Sequence, residues 1–325
     1  MNTFGRKFRC SIFGESHGKA IGITLDGVPP GIKLDITDFE VDIARRKSGA
    51  IGTTPRIEAD EPKFLSGIFN GFTTGAPLTI IFENNNTISK DYTQFQRQPR
   101  PGHADFVAHH KYQGFNDYRG GGHFSGRLTL LLVAAGVIAK KILGSHIDIK
   151  ANLIEIGGEN TIEAGLEKAF AANDSIGGIV ECKAKGLPIG WGEPFFDSIE
   201  AVLAHLLFSI PAVKGVEFGA GFAAARMFGS QHNDAIINKN GNTATNHAGG
   251  IVGGISNGNE LIVRIAIKPT SSTPQTQNTF DFEQGKVSDF VAKGRHDMCI
   301  ALRVPVVMEA VIAMGLADFK LLSIV

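Results

Sequence analysis

The segments Arg100-Pro-Gly-His-Ala-Asp105 and Arg119-Gly-Gly-Gly-His-Phe-Ser-Gly-Arg127 together carry three arginines, two histidines, one aspartate and five glycines. An apolar run, Leu128 to Leu143, follows at once and reads as a helix. The glycines let the backbone approach a ligand closely and take up dihedrals that a Cβ forbids. A helix starting after them points its free N–H groups back at the loop, which makes an anion site. Arginine adds bidentate recognition of phosphate or carboxylate. Histidine can move a proton near neutral pH. This combination points to an enzyme site for an anionic small molecule.

The chain has 325 residues, 43% of them hydrophobic, which is enough to bury a large core. Lys+Arg and Asp+Glu both number 32, so the basic excess of a nucleic-acid binder is missing and the cations that matter are concentrated locally. Cys10, Cys182 and Cys299 form no CxxC pair, which argues against a zinc knuckle or a redox motif. An odd cysteine count, an N-terminus without an apolar leader core, and a longest apolar run (Leu128 to Ala139) too short for a bilayer lead to the expectation of a soluble cytoplasmic protein. The 40 glycines follow no period and cluster in short groups such as Gly120–Gly122 and Gly249-Gly250.

Alternation predicts strands over 7–13 and 21–25, a strand pair over 64–69 and 78–83 around the Phe72–Gly75 turn, and strands over 151–156, 178–183, 215–218 and 260–267. Thr37 to Glu40 reads as a capping box opening a helix that ends in Arg45-Arg46-Lys47. Further helices are predicted over 128–143, 197–209 and 305–322, the second capped by Asp197 or Ser198. The elements interleave without a βαβ rhythm, and neither a dinucleotide fingerprint nor a P-loop is present. The expectation is an α+β fold in one large domain, 1–325.

Several constellations admit more than one reading. Gly14-Glu-Ser-His-Gly18 fits the G-x-S-x-G spacing of a hydrolase elbow, but a strand rather than a helix follows it. His103, Asp105, His109 and His110 match no zinc spacing, so no metal is expected. Arg45, Arg46, Arg56, Arg100, Arg119, Arg127 and Arg295 recur beside Gly/Pro-rich segments and point to a shared pocket. Gly249 to Gly258, Lys268-Pro-Thr-Ser-Ser272 and Gly294-Arg-His-Asp297 suit a phosphate-bearing cofactor, though each is weak alone.

Taken in order, Gly14–Gly18, Arg100–Asp105, Arg119–Gly122 with Ser125 and Arg127, Asn246–Gly258, Lys268–Ser272 and Gly294–Asp297 resemble the chorismate synthase family, from residue 4 to about 320. The resemblance implies a β-α-β sandwich, a homotetramer, and elimination of phosphate from 5-enolpyruvylshikimate 3-phosphate with reduced FMN (FMNH2) as cofactor; NADP is associated with the same family. It implies proton-handling roles for His17, His103 and Asp297. Arg45, Arg46, Arg100, Arg127 and Arg295 are implied as substrate ligands. His123, Ser125, Arg127, Pro211, Ala212, Gly253, Lys268, Pro269, Thr270, Ser271, Ser272 and Arg295 are implied as flavin contacts.

Departures from the family pattern are local. The usual Arg-Ser-Ser-Ala-Arg-Glu-Thr reads His123-Phe-Ser-Gly-Arg-Leu-Thr129, a second arginine after the Arg45 region falls at Ile51, and Asp-Pro-Cys reads Asp297-Met-Cys299. Leu128 is expected to face the core. No segment for a flavin-reductase activity is evident, which implies an external reductant, and no nucleic-acid or membrane partner is expected. A non-catalytic FMN- or phosphometabolite-binding protein on the same scaffold is the alternative.

Overall fold

A computed structural model describes residues 2–54, 58–86, 92, 94–292 and 297–323. The N-terminal part forms β1 (Thr3–Phe4), β2 (Arg9–Gly14), β3 (Ala20–Asp26), α1 (Glu40–Arg46), β4 (Lys63–Ser66), the small hairpin β5–β6 (Ile68–Phe69, Phe72–Thr73) and β7 (Leu78–Glu83). Two short helices, α2 (Gln94–Arg97) and α3 (Asp105–Lys111), lead to α4 (Thr129–Leu143). β8 (Asp148–Ile156), α5 (Ile162–Ala172), β9 (Gly178–Lys185), α6 (Ile199–Leu207), β10 (Val213–Phe218) and α7 (Gly229–His232) follow. The C-terminal part adds the hairpin β11–β12 (Ile251–Val252, Ile255–Ser256), β13 (Leu261–Ile267), the hairpin β14–β15 (Gln277–Asp281, Lys286–Phe290) and α8 (Val304–Ser323).

Two antiparallel sheets enclose the helices. One has the order β1-β2-β3-β7-β4 and the other β10-β13-β9-β8. Each turns one face inward, as alternation dictates. Ile21, Ile23 and Leu25 of β3 and Leu78, Ile80 and Phe82 of β7 are fully buried, as are Val180 and Cys182 of β9. α4 packs on β3, α8 packs on β8 and β9, and the two helices pack on each other. The result is an α+β fold, a β-α-β sandwich with one hydrophobic core spanning both sheets.

Both central helices are apolar on nearly every side, the pattern of a helix buried all round. In α4, Leu130 to Ala139 are all buried, and in α8 Val306 to Phe319 are too. Their backbones meet at Gly136, where a Cβ would lie 2.3 Å from the Ala310 Cβ. Truncating Leu131, which is fully buried, would cost about 2–5 kcal/mol. By length and composition Ile300–Ser323 could cross a membrane; here it is mostly buried between the sheets. It is longer than the Leu128–Ala139 run expected to be the longest.

The predicted strands and long helices appear within a few residues of their expected limits. Several details differ. Asp35, not Thr37, is the N-cap: it accepts from the Thr37 amide at 3.0 Å, and Asp38 rather than Glu40 closes the box by accepting from the Asp35 amide at 2.8 Å. The 64–69 strand is split by Gly67, so β4 pairs with β7 while β5 turns back on β6. α5, capped by Thr161, was not anticipated; its buried face is only Gly165, Leu166 and Ala169.

Candidate active site

A cavity of about 590 Å³ opens where the ends of α1, α4 and α8 meet three loops. α1 delivers Arg46 and Lys47 to it, and the loop after α1 delivers Thr54, Glu58 and Asp60. The glycine-rich segments deliver Arg100, His103, Gly120 and Ser125 to Arg127, which places the N-terminal end of α4 on the cavity. The turn before β10 adds Pro211 and Ala212, the loop after β13 adds Lys268–Ser272, and the approach to α8 adds Asp297 and Arg303. A larger groove of about 1,020 Å³ runs between β1–β2 and α6, but it touches none of the motif residues.

Arg100, His103 and Asp105 form one buried unit. Arg100 donates from Nε (2.7 Å) and Nη2 (2.8 Å) to the two Asp105 oxygens, and from Nη1 to Ser272 Oγ at 3.1 Å. Its guanidinium also lies 4.1 Å over the Phe95 ring. His103 Nδ1 is 2.6 Å from Asp105 Oδ1 and 3.1 Å from Arg100 Nη2. Arginine can only donate and an ionised carboxylate can only accept, so the shorter contact fixes the proton on Nδ1. His103 is thereby oriented with Nε2 left for proton transfer. Burial alone would raise the Asp105 carboxyl, but Arg100 and His103 outweigh it and hold it well below the ordinary range. Arg100 thus reaches the cavity with most of its donors already engaged.

His17 is buried and sits one layer behind the cavity wall. Its ring meets Tyr92 edge-on at 4.9 Å, and Tyr92 and Gly120 line the cavity in front of it. Gly120 must be glycine: its φ is +59°, and a Cβ would lie 2.2 Å from His17 Cε1. His123 lines the cavity, yet its nitrogens face Gly14 O (2.8 Å) and Asn2 Oδ1 (3.1 Å), so it ties the two glycine-rich loops together. Ser16 is fully buried in the turn of the antiparallel β2–β3 hairpin. With no helix after it and no exposure, the hydrolase reading fails.

Three arginines and two carboxylates form the other wall. Arg46 donates to Thr129 Oγ1 (3.0 Å) and to Gly126 O (2.9 Å), with Asp60 Oδ2 3.7 Å away. Arg127 pairs with Asp60 Oδ1 and donates to Asn84 Oδ1 at 3.0 Å. Arg303 donates from Nε to Arg46 O at 2.9 Å and approaches both Asp297 oxygens at 3.4 and 3.5 Å. Burial, then repulsion from Arg303 and Arg127, pushes the Arg46 guanidinium down to about 9, against the pull of Asp60 and Asp297. Arg45 is a correction to the expectation of a shared pocket. It turns away from the cavity and makes a bidentate pair with Glu309, both bonds 2.7 Å.

Lys268 Nζ donates to Gly102 O (2.8 Å) and Ser271 Oγ (2.6 Å), joining the C-terminal loop to the Arg100 loop. Ala212 adopts φ +73°, strained for a residue with a Cβ. Thr270 Oγ1 is buried without a hydrogen-bond partner among the described residues. Gly253 does not line the cavity in this chain; it is exposed at the tip of the β11–β12 hairpin. Arg295 and Arg56 lie outside the described residues. Among the described residues, six cations (Arg46, Lys47, Arg100, Arg127, Lys268, Arg303) line the cavity against three carboxylates (Glu58, Asp60, Asp297). Sequence reasoning missed Arg303 and Asp60, which stand outside every motif; the only signal for Asp60 was its place in the short acidic stretch Glu58-Ala-Asp60-Glu61.

The sandwich carries an over-cationic, histidine-bearing cavity whose lining suits an anionic small molecule. The chorismate synthase family model matches residues 8–321. Chorismate synthase of Chitinophaga pinensis is 66% identical over 323 residues, covering 99% of this chain and 97% of the relative. That of Korarchaeum cryptofilum is 44% identical over 348 residues, covering 98% and 96%. A solved structure described as the crystal structure of chorismate synthase superposes with a TM-score of 0.74 at 25% identity, over 97% of this chain and 92% of that one. The chain belongs to the chorismate synthase family.

Proposed function

We propose that the whole chain acts as one chorismate synthase domain, a carbon–oxygen lyase. It converts 5-enolpyruvylshikimate 3-phosphate to chorismate and phosphate, with reduced FMN bound beside the substrate. In this 1,4-elimination the C–O bond to phosphate and a ring C–H bond break, a C=C bond forms, and a proton and phosphate leave. There is no net redox change. The observation that carries the reading is the convergence of the arginine wall, His103 and Asp297 on one cavity.

The residues fit a flavin. The volume lies in the range of about 300–1,000 Å³ usual for small-molecule and cofactor sites. Among the described residues the Thr270 hydroxyl has no hydrogen-bond partner, and Lys268 and Ser271 stand beside it for a phosphate. Pro211, Ala212, Ser125 and Ser272 complete the lining. Reduced flavin, when bound, supplies an electron-rich ring that stabilises charge or radical character as phosphate departs.

The chain's own groups do the rest. Arg46 and Arg127 bind the phosphate and carboxylates of the substrate, which relieves the repulsion that lowers Arg46. Asp105 holds His103 in one tautomer, so Nε2 exchanges a proton without reorienting. Asp297, anchored by the Thr54 amide at 2.9 Å, keeps a carboxylate at the wall to take the ring proton. His17 acts from behind Tyr92. Flavin reduced elsewhere in a cytoplasmic setting and a homotetrameric assembly belong to the same proposal.

An anaerobic assay tests it. Substrate with dithionite-reduced FMN should yield chorismate and phosphate in equal amounts, with no flavin consumed. Turnover on oxidised FMN alone, or none on reduced FMN, would refute it.

A further inference from the structure

Arg303 belongs to none of the sequence motifs, yet its side chain is only 22% exposed and lines the cavity. Its fork works in two directions. Nε donates to the Arg46 carbonyl at 2.9 Å, the last residue of α1, and Nη1 faces both Asp297 oxygens at 3.4 and 3.5 Å. Asp297 otherwise holds the Thr54 amide at 2.9 Å. We infer that Arg303 is a positioning residue that fixes the Asp297 carboxylate in the cavity wall and locks the end of α1 that delivers Arg46. This inference rests on the proposed elimination.

The distances carry the argument. Arg100 grips Asp105 at 2.7 and 2.8 Å, and that carboxylate is fully engaged as an orienting group. Arg303 stands at the outer limit of a hydrogen bond from both Asp297 oxygens, where attraction orients a carboxylate without occupying its lone pairs. A base must be held in place and still be able to accept a proton, and this contact does both. Lysine could not replace the residue, because one ammonium on a flexible stem cannot hold the Arg46 carbonyl and the carboxylate together. The Arg46 guanidinium senses Arg303 as its largest neighbouring charge, so both ends of the link are coupled electrostatically as well as by contact.

The test compares wild type, Arg303→Gln, Arg303→Lys, Asp297→Asn and the Arg303→Gln/Asp297→Asn double variant, in steady state with reduced FMN. Arg303→Gln should lower kcat on the order of 10- to 100-fold with KM changed less than about threefold, and Arg303→Lys should restore little of it. In the Asp297→Asn background, removing Arg303 should cost less than about threefold more. Arg303→Lys is the more conservative change, and its kcat decides the matter if Arg303→Gln does not fold. Normal kcat in either variant, or losses that simply multiply in the double variant, would overturn the inference while leaving the elimination standing. Wild type that forms no chorismate would overturn both.

Discussion

Arg45 and Arg46 are neighbours at the end of α1 and enter two different charged clusters. Arg45, with Lys140, meets Glu309 and Asp42, two cations against two carboxylates. Glu309 also accepts the Ala151 amide at 2.9 Å, so the cluster is balanced and closed. Arg46 joins Arg127 and Arg303 against Asp60 and Asp297, three cations against two carboxylates, beside a cavity. Glu309 pulls the Arg45 guanidinium up, whereas burial and the other arginines push Arg46 down to about 9. The sign matters. A cation held below its ordinary value destabilises the fold in full at every pH below about 9, and an anion bound beside it offsets that cost. A balanced cluster holds a fold together, and an unbalanced one beside a cavity is set to bind.

If the open site carries function, His103→Ala should lower kcat by about 10²–10⁴-fold with little change in the urea midpoint. If the closed cluster carries stability, Glu309→Ala should lose about 2–4 kcal/mol in urea unfolding, because it strands the Ala151 amide and leaves two cations to share Asp42. FMN affinity should not follow.

Asp105→Asn sharpens the boundary, since Asp105 is a tight ion-pair partner inside the open site. Its carboxyl is held low, so its stabilisation is complete above pH ~4 and drains away as pH falls further. The variant should lose about 1–3 kcal/mol at pH 7 and show a flatter acid limb in unfolding. His123→Gln is the smallest case. Both ring nitrogens lie against protein oxygens rather than the cavity, so FMN affinity should change less than about threefold. A larger, pH-dependent change would place His123 on the flavin.

The core was legible in the sequence because the patterns that form it are local. Alternation in β3, β7, β9 and β13 and the near-unbroken apolar runs of α4 and α8 state which faces are buried. Leu128 is buried as expected. α5 was not legible, because a face of Gly165, Leu166 and Ala169 is too small to give a period. In the site, the motif loops announced themselves through glycines, and Gly120 proved necessary for the closeness of His17. Arg45 and Arg46 were indistinguishable by type and neighbourhood. Only the turn of α1 decides which one meets Glu309 and which meets the cavity. Arg303 reaches the Arg46 carbonyl 257 residues away and Asp60 reaches Arg127 67 residues away, and no local pattern records either link.

The comparison reduces to one calorimetric measurement: binding of 5-enolpyruvylshikimate 3-phosphate to Arg45→Met and Arg46→Met, each with FMN present. Arg46→Met should weaken binding by about 10- to 100-fold and leave stability within about 1 kcal/mol of wild type. Arg45→Met should bind within about threefold of wild type while unfolding at lower urea. Equal affinities in the two variants, or a loss confined to Arg45→Met, would contradict the assignment of the over-cationic cavity as the substrate site.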